Sequence, residues 1–219
     1  MRNCSIKPTA SHKGAKEVLN MKKTIYIVAA VVIIAAALTG VILIQPSNKP
    51  QTVTLSQGFE DGLGVWVKGA DVPADPNHPG QNVNWTINVV ANQSYAGNHS
   101  AQFYINGLQD DGTIWLTRNL TLTPDTARNV TVSFQLWSSS ESFNTLANVV
   151  AYIGTKNATS EGDFQVIGAA NQAAGWKSYS YSVEVETGAS GNVNVALGIS
   201  AVWETHMTYY IDDIVVTAV

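Results

Sequence analysis

Cysteine is almost missing from this chain: of its 219 residues one is cysteine, Cys4, and none follows it. Residues 52–219 can therefore form no disulfide and offer no thiolate for catalysis or metal binding. Eukaryotic domains of this size that work outside the cell commonly carry disulfides, so the absence points to an archaeal or bacterial protein. Histidine is scarce too. His12, His78, His99 and His206 show no metal-ligand spacing, and no G-x-S-x-G motif is present. Beyond residue 50, five cations (Lys68, Arg118, Arg128, Lys156 and Lys177) stand against fifteen Asp and Glu. Phosphate binding needs clustered Lys and Arg, so nucleic acid is excluded as a partner. No helical period follows residue 51, and no repeat of fixed length is visible, which excludes propellers and solenoids.

One long apolar run is present. Ile25 to Ile44 holds twenty residues without a charge. At about 1.5 Å rise per residue it reaches about 30 Å, the thickness of a bilayer's hydrocarbon core. Lys13, Lys16, Lys22 and Lys23 precede it, and Lys49 alone follows closely. That bias keeps the N-terminus in the cytoplasm and places the chain beyond Gln45 outside. The expected organisation is a basic cytoplasmic segment 1–23, a transmembrane helix 24–44, a linker 45–51 and an external domain 52–219. Met21-Lys22-Lys23 would itself make an ordinary start, which would leave residues 1–20 an upstream-start artefact. The alternative is a secreted protein, cleaved at the A-x-A-like Ala35–Ala37. Signal peptides, however, have apolar regions of about 7–15 residues, and cleavage there leaves Val41–Ile44 on the mature terminus.

The external part reads as strands almost throughout. Eleven β-rich runs are separated by Gly, Asn, Asp and Pro: 52–55, 65–68, 83–90, 100–105, 113–122, 130–137, 148–153, 164–167, 179–185, 193–202 and 208–216. Alternation is cleanest where Tyr179, Tyr181, Val183 and Val185 interleave with Ser180, Ser182, Glu184 and Glu186. About ten strands with one dry face each predict an all-β antiparallel sandwich, a jelly roll. Asn84, Asn92, Asn98, Asn119, Asn129 and Asn157 each open an N-x-S/T triplet, more than chance pairing would place there. They are candidate N-glycosylation sites of an exterior domain.

Asp212 and Asp213 are adjacent carboxylates in an otherwise apolar strand, so alternation should turn one of them inward. A buried carboxylate needs either a cation or several hydrogen-bond donors. Four segments in order carry a family resemblance: Phe59-Glu60-Asp61-Gly62 with Trp66, Ser94-Tyr95-Ala96-Gly97-Asn98-His99-Ser100-Ala101, Trp176-Lys177-Ser178-Tyr179, and Tyr209-Tyr210-Ile211-Asp212-Asp213-Ile214. Over essentially residues 52–219 they resemble the galactose-binding-like jelly rolls, which include carbohydrate-binding modules attached to glycoside hydrolases. The resemblance implies a structural Ca²⁺ joining the first and last strands. Carried over, its ligands are Glu60, an oxygen around Asn98–Ser100 with Ser100 the candidate, and Asp212 or Asp213. Hard oxygen donors suit Ca²⁺. The alternative has Asp212 capping a loop's amides and Asp213 facing water, with no metal.

Six tryptophans supply the candidate ligand site. The resemblance implies burial of Trp66 and Trp176. Trp137 is out of phase with inward Val132, Phe134 and Leu136, and Trp115 competes with Ile114 and Leu116 for the core. Trp85 and Trp203 stand beside polar loops. An exposed indole stacks on the apolar face of a sugar while nearby polar groups bond its hydroxyls. The alternative is that these rings plug the sandwich. Glu184 and Glu186 lie on a polar strand face, as solvated surface rather than as a glycosidase pair. The loop 69–82, with Asp71, Asp75, Asn77 and His78, is a binding loop, a second cation site or a spacer. The expected function is a non-catalytic, membrane-anchored carbohydrate-binding domain, with Trp137 its first candidate. Its rivals are a self-associating envelope or filament protein and, third, a small glycosidase or lyase.

Overall fold

Residues 52–107, 109–204 and 207–219 are described by a computed structural model and fall within one compact unit. The expected segments 1–23, 24–44 and 45–51 lie outside the described residues, as does His206. Eleven strands appear: β1 (Val53–Gln57), β2 (Val67–Asp71), β3 (Trp85–Val90), β4 (Ser100–Ile105), β5 (Thr113–Thr121), β6 (Ala127–Ser138), β7 (Ala147–Gly154), β8 (Gln165–Ala169), β9 (Gly175–Glu186), β10 (Asn192–Ala201) and β11 (Met207–Ala218). Each overlaps one of the β-rich runs read from the sequence. Among the described residues the only helical turn is a 3-10 turn, Glu161–Asp163.

The strands form two antiparallel sheets. The first runs β3-β4-β11-β6-β9, with β1 also paired to β11, and the second runs β2-β5-β10-β7-β8. Period-2 patterning builds the core between them. From β6, Val130, Val132, Phe134 and Leu136 point inward, and from β10, Val193, Val195, Leu197 and Ile199 meet them. Burying a side chain of this size contributes about 1.5–3 kcal/mol, so a one-residue slip of either strand would lose several such terms.

A smaller cluster covers the outer face of the second sheet. Trp115 of β5, 3% exposed, packs there with Ala158 and Ala196 beneath Phe164 and Tyr152. The Trp115 and Phe164 ring centroids are 5.1 Å apart. The segment 155–164 that carries the cover is closed on itself by Asp163 and tied to the second sheet through Glu161. The carboxylate of Asp163 accepts from the amides of Thr159 (2.8 Å) and Ser160 (2.9 Å). The amide of Glu161 donates to Asp71 (2.9 Å), and the Thr113 hydroxyl donates to the Glu161 carboxylate (2.7 Å). Trp115 lies flat because its cross-strand neighbours, Gly69 on β2 and Gly198 on β10, have no side chain. A Cβ on Gly69 would overlap the indole ring. Gly69→Ala should therefore cost about 1–3 kcal/mol through overpacking, read as a lower urea midpoint. Gly58→Ala, which meets nothing within 4 Å, should shift stability by less than about 1 kcal/mol.

Candidate functional site

β11 changes partners along one side. Met207–Ile211 pairs with β4, and Ile214–Ala218 pairs with β1. The change falls on Asp212 and Asp213, where the register against β6 also shifts and Asp213 takes a φ of 50°. The bulge turns Asp213 to solvent and leaves Asp212 at 0% exposure. Its Oδ2 accepts from the amides of Tyr95 (2.8 Å) and Ala96 (3.1 Å), and its Oδ1 from the amide of Asp213 (2.7 Å). The same β3–β4 turn is held further along by Glu60. Its Oε1 accepts from the amides of Asn98 (2.8 Å) and His99 (3.0 Å), and Oε2 lies 3.3 Å from the His99 ring. Gly97 sits between these amides with φ +63°, and a Cβ there would collide with the Glu60 carboxylate. Ser100 closes the turn by donating its hydroxyl to the Gln93 carbonyl at 2.6 Å.

Glu60, Ser100 and Asp212, the residues the resemblance named, thus gather at one turn. As placed, they do not fit a Ca²⁺. The cation takes six to eight oxygens, whereas Asp212 Oδ2 and Glu60 Oε1 each already accept two N–H donors, which occupies both lone pairs. The Ser100 hydroxyl is turned to the Gln93 carbonyl, and Asp213 points to solvent. Among the described residues no three His, Cys, Asp or Glu side chains come together as a metal site. The carboxylates make the amide contacts that the capping alternative expects.

The turn fixed in this way lies across the outer face of the first sheet, on an aromatic row. Trp137 stands opposite Tyr210 on one side and Trp176 on the other. Trp137 meets Tyr210 edge-on at 5.4 Å, and Tyr95 of the turn meets Trp176 edge-on at 5.6 Å. With its amide oriented by its neighbours, Gln93 accepts from the indole N–H groups of Trp137 (3.2 Å) and Trp176 (3.3 Å). Trp137 is on the outer face, as its phase predicts, yet half-buried beneath the turn. Trp176 belongs to this row and not to the core, the opposite of what the resemblance implied. Trp66 is buried in the core, with the Arg118 guanidinium 5.5 Å from its ring centre, and half-buried Trp85 packs against the core. Loop 69–82 closes on itself: Asp75 holds the His78 ring (2.7 Å) and the Asn77 amide (2.8 Å). Glu184 and Glu186 are exposed.

Among the described residues, two of the concavities are lined by a tryptophan. The larger, about 570 Å³, runs over the second sheet between Val65, Val67 and the 155–164 segment, with Trp115, Thr117 and Asn194 on its floor. Its Thr117, Asn119 and Asn194 side chains pair with one another, while the buried Trp115 Nε1 and Arg118 Nε have no hydrogen-bond partner among the described residues. Asn194 Nδ2 donates to Asn119 Oδ1 (2.8 Å), and Asn194 Oδ1 accepts from the Ala158 amide (3.2 Å). Asn119 and Asn157 line this groove. All six sequon asparagines are exposed. The smaller concavity, about 240 Å³, is formed by Trp203, Asp110 and Glu204 where the β4–β5 and β10–β11 loops meet. Trp203 is 53% exposed, alone among the six tryptophans in being open to solvent.

Solved structures with this fold include several sugar binders. The chain is similar to carbohydrate-binding modules of the β-sandwich type. One such structure, from a study of promiscuous specificity in those modules, is 14% identical with a TM-score of 0.49, over 75% of this chain and 73% of that one. The CBM22-1 xylan-binding domain of Paenibacillus barcinonensis Xyn10C is 16% identical with a TM-score of 0.46, over 78% and 96%. TmCBM61, in complex with β-1,4-galactotriose, is 14% identical with a TM-score of 0.43, over 73% and 92%. No family model and no curated protein matches the chain.

Three carboxylates lie below their ordinary pKa: Glu60 through the Asn98 and then the His99 amide, Asp75 through the His78 ring, and Asp163 through the Thr159 amide. A lowered folded pKa supplies stability that is fully present above the ordinary carboxylate value, about pH 4, and is lost as pH falls below it. The melting temperature should hold from neutrality down to about pH 5 and then fall, with a smaller fall in Glu60→Gln. Chelator should leave the melting curve unchanged at neutral pH. A lower melting temperature in chelator, absent from Asp212→Asn, would restore the Ca²⁺.

Proposed function

We propose that residues 52–219 form a non-catalytic carbohydrate-binding domain outside the cell, tethered to the membrane by segment 24–44. The observation that carries this reading is the Trp203 pocket. An open indole beside Asp110 and Glu204 offers a sugar an apolar face to stack on and carboxylate oxygens to accept its hydroxyls. Trp137 and Trp115, which the sequence also nominated, are committed to seating the β3–β4 turn and the 155–164 segment. The groove over the second sheet competes less well. A glycan on either Asn119 or Asn157 would stand inside it.

Trp203→Ala should abolish retention of the chain on a glycan array and leave its melting curve in place, because the ring is largely solvated. Loss of a stacking aromatic at such a site costs about 1–3 kcal/mol, or roughly a ten-fold or larger drop in affinity. Binding that survives Trp203→Ala but fails in Thr117→Trp, which fills the groove, would move the site to the second sheet. Release of reducing ends from a bound glycan would overturn the non-catalytic part, with Asp110 and Glu204 the first acids to replace.

A further inference from the structure

β9 ends the first sheet with twelve residues paired to β6 on one side only. The other strands at sheet borders are far shorter: β3 has six residues, and β1, β2 and β8 have five each. A strand border exposes N–H and C=O groups that template a further strand, so borders are ordinarily blunted by shortness, bulges, prolines or lysines. β8 has such an irregularity against β7. β9 has none over its whole length, contains no proline, and carries one lysine, Lys177, near its start.

Its middle alternates Ser and Tyr, with Ser180 and Ser182 flanking Tyr181. Laid antiparallel on a second copy of itself with Tyr181 at the centre, Tyr181 meets Tyr181, Ser180 meets Ser182, and Tyr179 meets Val183. Ser178 then meets Glu184, Lys177 meets Val185, and Trp176 meets Glu186. Every inward residue opposes an inward one, as continuation of the sheet requires. Aromatic–aromatic, aromatic–β-branched and hydroxyl pairs are favoured cross-strand neighbours, and neither acid faces another acid.

We propose that β9 is the contact through which two copies of this chain associate. The two strands pair antiparallel across a two-fold axis at Tyr181 and join two six-stranded sheets into one. The contact is isologous, so it closes at a dimer. It stands independently of any sugar bound at Trp203.

Cysteine cross-linking reads this register directly, because in the full chain carrying Cys4→Ser no other thiol exists. Opposed Cβ atoms lie about 4.5–5.5 Å apart and diagonal ones about 7–8 Å. Copies carrying Ser180→Cys and copies carrying Ser182→Cys should form a covalent dimer on oxidation when mixed, and little when either is alone. Both serines are exposed, so neither change threatens the core. Sedimentation provides the second measurement. The native chain should dimerise with concentration, Ser180→Lys with Ser182→Lys should lose the dimer by opposing like charges, and Ser180→Lys with Ser182→Glu should regain it. A native chain that stays monomeric at every concentration would overturn the proposal. So would cross-linking that is as strong in either single variant as in the mixture.

Discussion

The buried carboxylate of Asp212 is the interaction on which the outer face of the first sheet depends. β11 is the central strand of that sheet and serves β4, β1 and β6. β4 and β1 share one side of it end to end, and the bulge at Asp212 and Asp213 against β6 falls where one gives way to the other. Leaving a charge there without partners would cost several kcal/mol, and three N–H donors offset it. Two of the donors belong to the β3–β4 turn, so neutralising the charge and seating the turn are one event. Glu60 repeats the device further along the turn, at the amides of Asn98 and His99. The turn so held covers Trp137 and Trp176, which is why the most prominent aromatic row of the domain supports a loop instead of a ligand.

Strand content, sandwich architecture and the inward phase of β6 and β10 were legible in the sequence, because period-2 alternation reports burial directly. The pairing of two acids in an apolar strand was legible as a problem, and both of its solutions could be written down in advance. Which one applied was not, since it turns on whether amide hydrogens or carbonyl oxygens of residues 95–99 face the carboxylates. Backbone orientation in a turn leaves no trace in residue type, except at Gly97, where the Glu60 carboxylate occupies the space of a side chain. The tryptophans were read less well. Strand phase placed Trp137 and Trp115 on outer faces correctly, but phase cannot reveal that a distant loop then folds over that face. Trp176 was expected in the core on the resemblance alone, whereas its phase against inward Tyr179 puts it on the outer face. Trp203, outside any strand, carried no phase at all.

The placement of Trp203 relative to the chain's entry bears on what the domain can reach. β11 begins at Met207, beside the loops that carry Asp110 and Trp203, and ends at Ala218, which pairs with Val53 at the start of β1. The segment preceding residue 53 therefore enters at one pole of the sandwich, and the open indole stands at the other. Twelve residues of strand separate them, on the order of 35–40 Å at 3.3 Å per residue. The β9 border runs along the flank between the poles, so antiparallel pairing through it leaves both Trp203 ends uncovered and points them in opposite directions. Linked sites strengthen one another only where geometry lets both engage at once, so sites that face opposite ways cross-link separate polymers and do not grip one stretch of a polymer twice.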